Sequence, residues 1–305
     1  MSHNHSHIHS HSNTNVHSLN KSFIFGIVLN CLFVLIEFFA GIYYDSVGLL
    51  SDAGHNLGDV ASLMLAMLAF KLNTVAPNKN YTYGYKKSTI LVSLINAIIL
   101  FVTIGFIVFE SIQKINTYKP VEGSVIIWVA AIGVVINALT ALFFIRDKDK
   151  DLNIKGAYLH MLTDALISVG VVVSGILIVI TQLYIIDVIV GLVVAVVIAV
   201  SSYNLLRDSF RLVLDGVPVG IDCKNIVNII KQEEHVVDVH HLHLWSMSTT
   251  ENALTVHIVI DDINFLESVK LKIKKDLKNA GIGHSTLEFE TIDASKTCEN
   301  DELIC

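Results

Sequence analysis

Between residues 22 and 206 the chain passes through six apolar segments, each near the ~20 residues with which an α-helix crosses the hydrocarbon core of a bilayer. They fall at 23–44, 47–70, 89–112, 123–145, 154–180 and 183–206. No other feature restricts the fold so strongly. Lipid offers backbone N–H and C=O groups no partner, so each run has to satisfy its own hydrogen bonds as a helix. Composition agrees: 53% of the residues are hydrophobic and 16% charged, whereas a soluble domain carries about a quarter charged. The expected fold class is an α-helical membrane protein with six transmembrane helices, followed by a small cytoplasmic α+β domain. A net charge of −7 argues against nucleic acid as a partner, because that requires a basic patch.

Loop charges set the expected orientation. Lys71, Lys79, Lys86 and Lys87 follow the second segment, and Arg146, Lys148, Lys150 and Lys155 follow the fourth, while the first and fifth connections have neither Lys nor Arg. Positive loops face the cytoplasm, which places both termini there. Short loops and an Asn-, Ile- and Lys-rich composition point to a bacterial inner membrane. The N-terminus lacks the basic start, apolar core and small-residue site of a signal peptide. Residues 1–20, a His/Ser/Asn alternation holding His3, His5, His7, His9, His11 and His17, cannot bury apolar surface and are expected to be disordered. The four Cys residues (Cys31, Cys223, Cys298, Cys305) form no CxxC pair and suggest no disulfide framework.

The membrane domain is expected over 21–206. After Pro218 the pattern changes to a short helix, two strands, an amphipathic helix with Phe265, Val269, Ile273 and Leu277 on one stripe, and a third strand. The order αββαβ over 207–292 suits a two-layer domain, and 293–305 reads as a flexible tail. So small a core is marginal alone. Dimerisation would help it, with Trp245 as a contact.

The chemistry lies inside the membrane segments. His55 and Asp59 share the second, and His160 and Asp164 share the fifth. Residues four apart occupy one helix face, so two facing helices would gather two imidazoles and two carboxylates, a tetrahedral set suited to zinc. An ionised Asp at the bilayer centre costs about 2.5–3.5 kcal/mol or more. A dication between the two carboxylates removes that cost. Asn30, Glu37, Asp52, Asn56, Asn96 and Asn137 are read mainly as interhelical hydrogen-bonding groups, with Glu37 and Asp52 near the outer helix ends. The charged run at 146–151 is read as a solvated loop.

The stretch from Gly41 through Asp52, His55 and Asp59 resembles the signature of cation diffusion facilitators. So do the run from Tyr81 to Lys87, the stretch from Gly156 through His160 to Asp164, and the segment Val239–Trp245 containing His240 and His243. The resemblance spans about residues 21–291. It implies a homodimer of six-helix units with cytoplasmic ferredoxin-like domains, exporting divalent metal in exchange for protons. His55, Asp59, His160 and Asp164 would form the transport site. A His at position 55 resembles the zinc-preferring members, with cadmium, cobalt, manganese or iron as alternative cargo. The resemblance also assigns His240, His257 and Glu290 to a cytoplasmic metal site converging at a sheet edge, where Zn2+ would be a regulatory ligand. His243, His284 and Glu288 are further candidates, and His235 and His241 are read as surface residues. Cys298 and Cys305 are read as tail residues rather than ligands. Where some members carry His in the second cytoplasmic loop, this chain has Tyr81 and Tyr85, so no metal site is expected there. The family further suggests a charge contact between Lys87 and Asp215. Two rivals are weaker: a metal sensor, and an intramembrane metalloenzyme, for which HExxH and an open coordination position are missing.

Overall fold

The computed structural model describes residues 13–43, 47–114, 123–181 and 185–292. Six long helices come first: α1 (Asn13–Tyr43), α2 (Val47–Asn73), α3 (Lys87–Lys114), α4 (Gly123–Phe144), α5 (Leu152–Thr181) and α6 (Ile185–Val213). They match the six apolar runs in order and approximate bounds. Two departures have simple causes. α1 begins at Asn13, inside the stretch expected to be disordered, because adding residues to an existing helix costs far less than nucleating one. α6 continues past residue 206 to Val213, where its exit from apolar sequence does not interrupt the helical backbone. By length and composition two described helices contain membrane-length apolar spans, Phe23–Ala40 and Lys87–Gln113, and Ala130–Phe144 is a shorter apolar stretch.

The surface chemistry of these helices is inverted relative to a water-soluble bundle. Ile24, Leu32, Phe39, Phe106, Trp128 and Val196 are exposed, while Asn30, Glu37, Asn56, Asp59, Asn137, His160 and Asp164 are buried. An apolar solvent selects that arrangement. Glu37, expected near a helix end, is wholly buried and accepts a hydrogen bond from Asn56 Nδ2 at 2.7 Å. Asn30 Nδ2 donates to Gly26 O at 2.9 Å and lies 3.4 Å from Met161 Sδ. The Asn56–Glu37 and Asn30–Met161 contacts are the interhelical bonding expected of such residues, whereas the Asn30–Gly26 bond stays within α1. The side chain of Asp52 lies outside the described residues.

The chain forms two compact units, one from 1–67, 109–146 and 157–194, the other from 68–108, 147–156 and 195–305. In the first, α1 packs on α4 through two glycines. A Cβ at Gly133 would sit 2.8 Å from Phe33 Cζ, and one at Gly26 would sit 2.9 Å from Thr140 Cγ2. Lacking a side chain, each lets the helices approach closely, which is how apolar helices gain packing energy in lipid.

The second unit contains the α+β segment: α7 (Cys223–Lys231), β1 (Val236–Ser246), β2 (Asn252–Ile260), a 3-10 turn (Ile263–Phe265), α8 (Leu266–Asn279) and β3 (Ile282–Thr291). The expected αββαβ order is present. The sheet order is β1-β2-β3, antiparallel then parallel. Asp222 caps α7 by accepting from Lys224 N at 3.0 Å. The two helices lie on one sheet face, where Ile226, Ile230, Val239, Leu242, Leu254, Val256, Ile258, Val269, Ile273 and Leu277 form the core. Phe265 is not part of that stripe. It precedes the first turn of α8, is 42% exposed, and stacks on His235 at 3.9 Å.

Candidate metal centres

α2 and α5 bring Asp59, His160 and Asp164 together, with one ligand atom from each inside 4.8 Å of the others. His160 Nε2 lies 2.7 Å from Asp59 Oδ1. The three residues are 2–4% exposed. The four-residue spacing from His160 to Asp164 places both on one face of α5, as expected. Breaking one member of such a buried ionic group strands the others, at about 3–5 kcal/mol. His55 stands on α2 four residues before Asp59, but its side chain lies outside the described residues. Two carboxylates and an imidazole form an acidic, hard-to-borderline donor set. It fits a divalent transition metal and competes directly with protons, since metal requires neutral His and ionised Asp.

α5 owes its start to Asp151, whose Oδ1 accepts from Asn153 N at 2.7 Å and Ile154 N at 3.3 Å, an N-cap arrangement. Asp151 was expected in a solvated loop, yet it is 6% exposed. Burial pushes its carboxyl above the ordinary range, opposed by the Thr249 hydroxyl and the two backbone amides. The earlier part of the run does behave as a solvated loop, with Lys150 Nζ 2.5 Å from Asp147.

A second cluster lies on the sheet face opposite the helices. β1 and β2 set His240 opposite His257, and β2 and β3 set His257 beside Glu288. His257 Nδ1 is 2.6 Å from Glu290 Oε1, His257 Nε2 is 3.3 Å from Glu288 Oε2, and His240 Nε2 is 3.4 Å from Glu290 Oε2. Convergence therefore occurs around the central strand rather than at an edge. His240, His241 and His257 also form a ligand-distance group, their rings 5.1–5.3 Å apart. His241 is read from the sequence as a surface residue, and in a regular strand it would face away from its neighbour His240. A bulge between His240 and His243, with His241 at φ 47°, breaks that alternation. The burial pattern carries the signal: Val239 and Leu242, three apart, are both fully buried in the core, which a regular strand cannot achieve.

The remaining candidates lie elsewhere. His243 is exposed. His284 meets the Tyr83 ring edge-on at 5.5 Å, and His235 Nδ1 lies 2.9 Å from Asp261. Tyr81 and Tyr85 pack on each other at 4.7 Å. Lys87 pairs with Asp215, and Lys86 with Glu251. His3, His5, His7, His9, His11, Cys298 and Cys305 lie outside the described residues.

Comparison with known proteins adds an independent finding. Residues 23–214 match the cation efflux transmembrane domain, and residues 218–287 match the cation efflux protein cytoplasmic domain. A cadmium, cobalt and zinc/H(+)-K(+) antiporter of Bacillus subtilis is 36% identical over 264 residues, covering 85% of both chains. The zinc transporter ZitB of Escherichia coli is 32% identical over 95% of this chain and 93% of its own length. The metal cation efflux system protein CzcD of Cupriavidus metallidurans is 30% identical over 88% of this chain and 86% of its own.

Proposed function

The chain belongs to the cation diffusion facilitator family of cation efflux proteins, and from that premise we propose that it is a proton-coupled antiporter exporting divalent transition-metal ions, chiefly Zn2+, from the cytoplasm. It is a transporter and not an enzyme. The observation that carries this reading is the buried carboxylate–imidazole–carboxylate group of Asp59, His160 and Asp164 on two apolar helices. Asp59 and Asp164 supply charge neutralisation, His160 supplies a nitrogen ligand, and His55 completes the set. The same atoms bind metal or protons, so a rise in external acidity releases the ion as the helices alternate their access. In this reading α1–α6 cross a bacterial inner membrane six times with both termini cytoplasmic, as the Lys-rich loops support. His240, His257 and Glu290, joined by His241 and Glu288, hold regulatory Zn2+ in a ferredoxin-like domain through which two copies associate.

One observation favours a broader cargo. The Bacillus subtilis relative carries cadmium and cobalt as well as zinc in its name, with both H+ and K+ as counter-ions. Initial flux of Zn2+, Cd2+, Co2+, Mn2+ and Fe2+ into proteoliposomes, driven separately by pH and K+ gradients, tests both readings. Zinc flux highest under a pH gradient supports the first. Equal flux for all three metals in the relative's name supports the second. Absence of gradient-driven flux for every metal contradicts both.

A further inference from the structure

We propose that Thr249 is a positioning residue for transport: through its hydroxyl, the turn between β1 and β2 holds the start of α5, the helix carrying His160 and Asp164. The proposal rests on reading those two residues as ligands of the transported ion. The turn is rigid in itself. Met247 N and Ser248 N donate to Glu251 O at 2.8 and 3.2 Å, and Ser248 Oγ accepts from Thr250 N and Glu251 N at 3.2 and 3.0 Å. Thr249 is therefore presented outward in a fixed pose. Its N–H donates to Thr89 Oγ1 at 3.1 Å, and its hydroxyl donates to Asp151 Oδ2. Asn153 Nδ2 closes the group by donating to Thr89 O at 2.9 Å. Thr89, Asp151, Asn153 and Ser248 are 0–6% exposed, so these bonds form in a low-dielectric setting where a satisfied network is stiff.

The division of labour on Asp151 is the informative detail. Oδ1 caps the helix, whereas Oδ2 takes the Thr249 hydroxyl. Loss of the hydroxyl leaves the cap, and hence the helix, in place. What is lost is the control of where the helix points. At about 1.5 Å per residue Asp164 lies roughly 20 Å along the axis from Asp151, so a tilt of about 3° moves it by roughly 1 Å, several times the ~0.2 Å tolerance of a metal–ligand distance. The two strands that flank this turn carry His240 and His257.

The test compares Thr249→Val, Thr249→Ser, Asp151→Ser and the double variant Asp151→Ser/Thr249→Val with the full-length chain in proteoliposomes, with Asp164→Ala as a control. Maximal zinc flux should fall about tenfold in Thr249→Val, the scale of a lost supporting contact at a metal site, with half-saturating zinc raised, as a displaced ligand requires, and melting temperature unchanged. Thr249→Ser should recover flux to within about twofold of the full-length chain, because the hydroxyl is retained. Ser at position 151 still caps a helix but has no second oxygen, so Asp151→Ser should reproduce the loss, and the double variant should be no worse than either single one. Undiminished flux in Thr249→Val, failure of Ser to rescue, or additive losses would overturn the proposal; flux persisting in Asp164→Ala would instead overturn the ligand reading beneath it. Should Thr249→Val fold poorly, the Asp151→Ser pair decides alone.

Discussion

The two candidate metal-ligand clusters use the same chemistry in opposite settings. Asp59, His160 and Asp164 are almost fully buried on two helices, two carboxylates to one imidazole. His240, His241, His257, Glu288 and Glu290 lie on the open face of a sheet, rich in imidazole and partly exposed. Charge is expensive in the first place and cheap in the second. A buried pair of carboxylates needs a cation or protons at all times, so the first cluster is suited to exchanging one for the other. The second can stand empty without such a cost, so its occupancy can follow the free metal concentration.

The sharpest way to break this comparison is to remove a carboxylate from each cluster. Asp59→Ala or Asp164→Ala should lower proton-driven zinc flux by about 100-fold or more, beyond the 10–100-fold typical of losing a supporting residue, whereas Glu290→Ala should leave flux measurable. Equal losses in the two would erase the distinction. Next in size, His257→Ala should remove the cytoplasmic cluster's zinc altogether, because His257 belongs to both ligand groups. Zinc counted per chain by atomic emission after dialysis should then fall, while maximal flux drops severalfold at most. His241→Ala sharpens the contrast further: equilibrium dialysis should show weaker cytoplasmic zinc binding if the bulge places His241 as a ligand, and no change if it is a surface residue. In the cytoplasmic core, Ile273→Ala should cost about 2–5 kcal/mol by cavity formation, read as a lower melting transition of the cytoplasmic sheet domain. The smallest effect belongs to Tyr81→Ala and Tyr85→Ala, which should leave the zinc count unaltered.

What the sequence disclosed follows from the periods of its elements. The pairing of His160 with Asp164 was legible because a helix repeats reliably every 3.6 residues, and the long apolar runs left no competing assignment. The αββαβ order was legible from the change in pattern after Pro218. His241 was not, because a one-residue bulge reverses the side a strand residue faces, and a bulge leaves little trace in a single sequence. Phe265 extended the α8 stripe on paper, but a 3-10 turn ends before that helix begins. Asp151 looked like one charge among several in a loop. Its Oδ2 accepts from the Thr249 hydroxyl, distant in sequence, and no local pattern announces such a contact.

The central claim is that the buried cluster binds zinc in competition with protons. The direct measurement is zinc bound per chain in a His240→Ala/His257→Ala variant, which removes the cytoplasmic cluster. It is taken at about pH 7.5 and about pH 5.5, either side of the ordinary His range near ~6.5. The account predicts a single zinc per chain at the higher pH, largely released at the lower, and absent at both when Asp164→Ala is added. Zinc retained after Asp164→Ala, or bound equally at both pH values, would contradict it.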